Sequence, residues 1–333
     1  MPRRAFALPE NPEAIVRSLP CWRGPLVVEP LRGGLSNVSF KVVDAEGAWV
    51  ARIGRDFRFH HVSRRREAEA SRAAAALGLA PRVRHVGDGA LVCAFVEGRT
   101  LSAADLREKI EPVVALIARA HREMRAAIRG EAGAFWVFHV IRDYMDALRD
   151  GAHPIAPELP ALEPLVSALE AAQVPMPMVF GHHDLLPANF LDDGRRLWLI
   201  DWEYAGFGTP MFDLANLADN SDYDGDLKSR LLTLYFDRAA DEATRRAFDA
   251  MQAASALREW LWAMVSELFL AAPGADYAAY ATTCRAKFER ARERCGLPEL
   301  AKTFPPTPRS SSSAAASSAV RPPIISRATT RRT

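Results

Sequence analysis

Hydrophobic and polar positions divide the chain into two unlike parts. Between residues 25 and 53 the apolar positions are β-branched or alternate with polar ones, in "PLVVEPL" and "SFKVVDAEGAWVARIG". A period of two predicts strands, broken here by Gly33-Gly34 and by a turn over Asp44-Ala45-Glu46-Gly47. Residues 63–78 switch to helical spacing, with Ser63 at the N-cap, an alanine-rich body and Gly78 at the end. "ALVCAFV" predicts one more short strand. From about 102 to 175 and 210 to 295 the pattern is helical, interrupted by strands around 178–181 and 196–203. This order predicts an α+β fold of two lobes, β-rich over 1–95 and mainly helical over 96–300, with a ligand cleft between them. Residues 301–333 are rich in Ser, Ala, Pro and Arg with little to bury, and predict a disordered basic tail.

Composition narrows the function classes. A chain of 333 residues, 49% hydrophobic, has enough apolar surface for a sizeable core. Its net charge of +2 comes from the tail, since residues 1–300 carry 37 basic and 41 acidic residues. A mildly acidic folded part argues against a nucleic-acid partner. Cys21, Cys93, Cys284 and Cys295 show neither disulfide-framework nor zinc-ribbon spacing, which suits a reducing cytoplasm. No signal-peptide core and no run of 18 apolar residues occurs, so no membrane partner is expected. The pattern specifies no oligomeric state.

The densest chemistry lies in "GHHDLLPANF", residues 181–190, followed by "LDDGRRLWLIDWE". Asp193-Gly194 between apolar segments predicts a two-residue hairpin turn. That register sets Asp201 opposite Leu186, beside the loop that carries Asp184 and Asn189. Two carboxylates and a carboxamide suit a hard cation such as Mg²⁺. Zinc would require its nitrogen ligands in tetrahedral spacing, and the adjacent His182 and His183 point in different directions.

His182-x-Asp184-x-x-x-x-Asn189 followed by "LIDWE" resembles the catalytic and metal-binding segments of protein-kinase-like small-molecule phosphotransferases. "DLLPANFLDDGRRLWLIDWEYAGFGTPMFDLANLA" resembles, more narrowly, the choline/ethanolamine kinase family. The resemblance runs over about residues 28–290 and implies a bilobal protein-kinase-like fold. It implies Asp184 as catalytic base, Asn189 and Asp201 as Mg²⁺ ligands, and ATP as co-substrate. His182 and Asp213 would brace the loop.

On the nucleotide side, "LRGGLSN" would cover the phosphates with Gly33, Gly34, Ser36 and Asn37. Arg52 in "VARI" would hold phosphate and carboxylate together through its planar fork. The family pattern selects Glu67, fourteen positions before Pro81, as its partner. "VCAFVEG" would be the hinge that reads adenine through backbone groups from Cys93 to Phe95.

On the acceptor side, a quaternary ammonium calls for aromatic faces and carboxylates. Glu203, Tyr204, Phe207, Asn216, Asp219 and Tyr223 are candidates in the segment after Asp201. Glu259 and Trp262 share a face of a later helix, with Glu259 where many eukaryotic members have tryptophan. Trp260, His121 and Tyr144 are expected to be structural. These features predict an ATP- and Mg²⁺-dependent kinase acting on the hydroxyl of choline or a related amino alcohol. The competing readings are a phosphotransferase for another hydroxylated cation, such as an aminoglycoside or thiamine, and a non-catalytic kinase-like nucleotide-binding protein.

Overall fold

A computed structural model describes residues 11–31, 37–87, 89–270 and 276–298. A short helix α1 (Pro12–Ser18), capped by Asn11, precedes strands β1 (Val27–Leu31), β2 (Asn37–Asp44) and β3 (Gly47–Gly54). The Asp44–Gly47 turn forms as its residue types require. Asp44 Oδ1 accepts the Glu46 amide at 2.9 Å and the Trp49 indole N–H at 3.0 Å. Helix α2 (Arg64–Ala76) starts from the Ser63 cap and stops at Gly78, whose φ of +69° few other residues adopt. Strands β4 (Val83–Gly87) and β5 (Ala90–Ala94) complete an antiparallel sheet in the order β1-β2-β3-β5-β4. β4 has no counterpart in the elements expected above; "VRHVG" is half-buried throughout and shows no alternation.

The chain continues through β6 (Arg99–Thr100) into helices α3 (Ala103–Glu108), α4 (Ile110–Ala127), α5 (Val137–Asp150) and α6 (Glu163–Ala171). Three short strands follow: β7 (Val179–Gly181), β8 (Phe190–Asp192) and β9 (Leu197–Leu199). Then come β10 (Gly206–Gly208) and helices α7 (Pro210–Asn220), α8 (Gly225–Phe236), α9 (Glu242–Phe269) and α10 (Tyr277–Arg294). β6, β8 and β9 form one small sheet, and β7 pairs with β10. α9 is almost continuously buried from Ala247 to Ser266 and packs against α5, α6, α7 and α10, so it is the axis of the helical part. A small core under the sheet, built on Phe40, Val42, Trp49, Ile53 and Val92, is separate from the large helical core. The alanine face of α2 joins the large core, which ties that helix to the helical part.

The β8–β9 hairpin differs from the expected register. Phe190 pairs with Leu199 and Asp192 with Leu197, leaving Asp193 to Arg196 as a four-residue loop. Asp193 Oδ1 accepts the amides of both Arg195 and Arg196 at 2.8 Å, and Oδ2 accepts the Trp198 indole at 2.8 Å. This side-chain cap favours the longer turn over a two-residue one. Extended by two residues, the register sets Asp201 level with Ala188 rather than Leu186. No described helix is long and apolar enough to cross a membrane. The 301–333 tail lies outside the described residues.

Candidate active site

β7 leads into residues 182–189, and helix α7 holds that loop in place. Asp213, in the first turn of α7, accepts the His182 amide at 2.8 Å and the His183 amide at 2.7 Å. It also accepts His121 Nε2 at 2.8 Å. Burial alone would raise the Asp213 carboxyl. The hydrogen bond from His121, with the surrounding imidazoles, outweighs burial and holds it well below the usual carboxylate range. One turn on, Asn216 Oδ1 accepts the Leu185 amide at 2.7 Å. Asn216 therefore supports the loop. Asp219 accepts from Gln252 and Tyr223 donates to the Leu106 carbonyl, so they too are engaged.

His182 links the two halves of the site. Its Nδ1 accepts the Asp184 amide at 3.3 Å and its Nε2 donates to the Ile200 carbonyl at 2.9 Å, next to Asp201. This pattern requires the neutral ring, and burial lowers its pKa to about 4. His183 stacks on Phe135, with ring centroids 4.2 Å apart.

Asp184 and Asn189 are both buried. Asn189 Nδ2 donates to the Asp184 carbonyl at 2.7 Å, which turns its Oδ1 elsewhere. That oxygen is buried without a hydrogen-bond partner. The Ile200 amide donates to the Asn189 carbonyl at 2.9 Å, so Asp201 follows one residue beyond a direct contact with Asn189. An unsatisfied carboxamide oxygen beside carboxylates is the donor chemistry of a hard cation, and the residues present fit Mg²⁺. Among the described residues no group of three or more His, Cys, Asp and Glu is placed to hold a metal by itself.

From the sheet side, Arg52 reaches down to the same point. Its Nη1 lies 2.9 Å from Glu67 Oε1 and its Nη2 2.8 Å from Asp201 Oδ1. A second guanidinium, Arg64, pairs with Glu67 at 2.6 Å and with Glu203 at 3.0 Å. Glu203 also lies 3.8 Å from Arg52, so two buried cations hold it in this cluster. Burial pushes the Asp201 carboxyl up to about 7; Glu203, Glu67 and Asp184 add to the rise and Arg52 opposes it. The site thus holds more negative charge than its arginines neutralise. Asp201 also has φ +68°, a strained value for a non-glycine residue.

Gly33, Gly34 and Ser36 lie outside the described residues. Asn37 opens β2 and, with Arg52, Gly54 and Arg64, lines a cleft of about 250 Å³. At the expected hinge, the Ala94 amide donates to the Arg82 carbonyl and the Phe95 amide to the Ala48 carbonyl. Both amide donors are therefore engaged within the protein. Burial pushes the Cys93 thiol up to about 12, which marks a packing residue.

Tyr204 and Trp262 meet, with the indole N–H donating to the Tyr204 hydroxyl at 3.1 Å. His60 stacks on Trp262 at 4.8 Å, and Tyr277 and Tyr280 approach it edge-on at 6.2 and 6.1 Å. Phe207 is elsewhere in contact, edge-on to Phe180 at 5.2 Å across the β7–β10 pair. Glu259 does not offer a spare charge. Its Oε1 pairs with Arg258 and its Oε2 accepts the Tyr280 hydroxyl at 2.9 Å. Trp260 packs on Phe288 and Tyr144 bonds His60, both structural positions.

Arg64, Arg258 and His60 escaped the reading from sequence. Arg64 sits three residues before Glu67 on one helix face, a spacing that predicts contact; in "SRRREAEA" it reads as one of a solvated charge run. Arg258 and His60 carry no local signal.

Known proteins share this arrangement of chain. The profile of the phosphotransferase enzyme family matches residues 27–250. Ethanolamine kinase 2 of Mus musculus is 30% identical over 152 residues, 42% of this chain and 38% of its own. Matches to the curated relatives span between 16% and 54% of their length, less than two thirds in every case. Among solved structures, a choline/ethanolamine kinase family protein of Mesorhizobium loti is 28% identical, with a TM-score of 0.66, over 87% of this chain and 96% of that one. The structure of LicA in complex with AMP is similar in fold, at 21% identity and a TM-score of 0.63, over 85% of this chain and 96% of that one.

Proposed function

The chain belongs to the phosphotransferase enzyme family, and from that premise we propose that it is a kinase of the choline/ethanolamine type. In this reading it transfers the γ-phosphoryl group of ATP to the hydroxyl of an amino alcohol. The observation that carries the reading is Arg52, which leaves the sheet to pair at once with Glu67 of α2 and Asp201 of the β9–β10 segment. One cation joined to both partners is what a phosphate clamp beside a metal ligand requires.

In this mechanism Asp184, its amide held by His182 Nδ1, accepts the proton of the acceptor hydroxyl. The oxygen forms a bond to the γ-phosphorus as the bond to the β-phosphate oxygen breaks, and ADP leaves. Arg52 orients the phosphates. Asn189 Oδ1 and Asp201 would hold Mg²⁺, which supplies charge neutralisation on the phosphate oxygens. Trp262 and Tyr280 offer ring surface to the acceptor's ammonium, while the Tyr204 ring is taken by the Arg258 guanidinium, 4.8 Å from its centroid. Because Arg258 neutralises Glu259, those faces dominate recognition, which favours a methylated ammonium over a primary one.

The test is turnover of the purified chain with Mg²⁺ and ATP against choline, ethanolamine and an aminoglycoside. Choline is expected to have the highest kcat/KM. Asp184→Asn should lower kcat by roughly 10²–10⁴-fold and leave the Kd of Mg-ATP in place. Near-normal turnover in that variant would exclude Asp184 as the base.

A further inference from the structure

A second arginine joins the elements that carry the nucleotide residues. Arg64 is the first residue of α2. Its Nη1 donates to Glu67 Oε2 at 2.6 Å and to Glu203 Oε2 at 3.0 Å, and its Nε donates to the Arg55 carbonyl at 3.1 Å. The side chains of Arg64, Glu67 and Glu203 are 11%, 3% and 7% exposed, so these pairs are shielded from solvent. Room for the guanidinium comes from Gly54, where a Cβ would lie 2.8 Å from Arg64 Nε.

The geometry sets up a competition. Glu203 Oε2 is 3.0 Å from Arg64 and 3.8 Å from Arg52. Arg52 in turn is 2.8 Å from Asp201. A buried carboxylate that loses its cation carries a large desolvation cost and seeks the next one. For Glu203 without Arg64, Arg52 is a cation already within 3.8 Å.

We infer that Arg64 is a positioning residue of the nucleotide site: by holding Glu203 it keeps Arg52 directed at Asp201 and the phosphates. The inference rests on the phosphotransfer reading, in which Arg52 and Asp201 serve Mg-ATP. It assigns Glu203 a role as counter-ion of Arg64, and it makes the Glu203–Arg64 pair the latch between α2 and the segment after β9.

The experiment measures the Kd of Mg-ATP by calorimetry for the full chain, Arg64→Gln, Arg64→Lys, Glu203→Gln and the double variant Arg64→Gln/Glu203→Gln. Circular dichroism checks that each is folded. Arg64→Gln should raise the Kd about tenfold, the size expected within one ion-pair network. The KM of the acceptor should stay within about twofold. Removing Glu203 as well should recover most of the lost affinity, since Glu203 then no longer competes for Arg52, and Glu67 keeps its own pair with Arg52 at 2.9 Å. A merely structural role would make the double variant worse than either single one, and that result overturns the inference. So does a Kd for Arg64→Gln within twofold of the parent. If Arg64→Gln does not fold, Arg64→Lys carries the test: its shorter side chain gives up the Nε bond to the Arg55 carbonyl that aims Nη1 between the two carboxylates, so its Kd should rise and fall back when Glu203→Gln is added. A parent chain that binds no Mg-ATP overturns the phosphotransfer reading and the inference with it; a parent that binds, with unchanged variants, overturns the inference alone.

Discussion

Asp201 and His183 sit at φ +68° and +63°, backbone values that cost an L residue on the order of 1–3 kcal/mol each. The hydrogen bonds from the His182 and His183 amides to Asp213 offset part of that cost and fix the loop before any ligand arrives. At the same scale, Trp262 contributes both an indole donor to Tyr204 and a ring face. Trp262→Phe removes the donor and weakens the face while keeping most of the packing volume. It should raise the KM of the acceptor about three- to tenfold, as a cation–π contribution of about 1 kcal/mol implies, and leave the KM of ATP unchanged. Steady-state kinetics with each substrate varied in turn decides this. A parallel rise in both KM values would place Trp262 in the core rather than the pocket. The polar residues of the loop were legible from sequence because Asp184, Asn189 and Asp201 fall close together along the chain. The ion pairs of Glu203 with Arg64 and of Glu259 with Arg258 were not legible, because a charged side chain does not announce in a sequence which partner it will meet.

Helix α7 does more than cap the loop. In its last turn Asp219 accepts from Gln252 at 2.8 Å through Oδ1, while Oδ2 is buried without a hydrogen-bond partner. Burial pushes this carboxyl up to about 7, against the pull of Lys287, Lys228 and Arg294. The unfolded chain releases that proton near pH 3.8, the folded chain near pH 7. Between those values the native state binds more protons, so stability falls as pH rises through the window. Asp219→Asn should remove that slope and stabilise the chain at pH 7.5 by on the order of 3 kcal/mol, with little change at pH 4. Denaturant unfolding at both pH values reads the difference, and an equal effect at both would exclude the mechanism. Elements whose signals are local were predicted well: the Asp44–Gly47 turn, the Ser63 cap and the long helices. β4 and the hairpin loop were not. "VRHVG" lacks alternation, and the Asp193 side chain selects a four-residue turn from a sequence that equally spells a two-residue one.

At the scale of the whole molecule, two separate cores meet at a polar seam. The sheet core and the helical core are separate apolar clusters, and Arg52, Glu67, Asp201 and Glu203 form ion pairs that link the sheet to α2 and to the segment after β9. A ligand that binds this seam in the native state alone should stabilise the chain as a unit. Mg-ATP at a hundredfold excess over its Kd should add about 2.7 kcal/mol, seen as a rise in Tm of several degrees. Asp201→Asn should abolish the magnesium-dependent part of that rise. A full shift retained in Asp201→Asn would remove Asp201 from the metal.

Sequence alone determined the periodicities, the turns and caps, and the loop that carries Asp184 and Asn189, because each depends on residues within a few positions of one another. Tertiary structure decided which charges pair. Arg52 and Asp201 are 149 residues apart, Arg64 and Glu203 139 apart, and only the docking of β3 and α2 against the segment after β9 brings them within about 3 Å. It also decided that Glu259 is spoken for and that Asn189 Oδ1 is not, since burial and competition for partners belong to the folded molecule and not to any stretch of the chain.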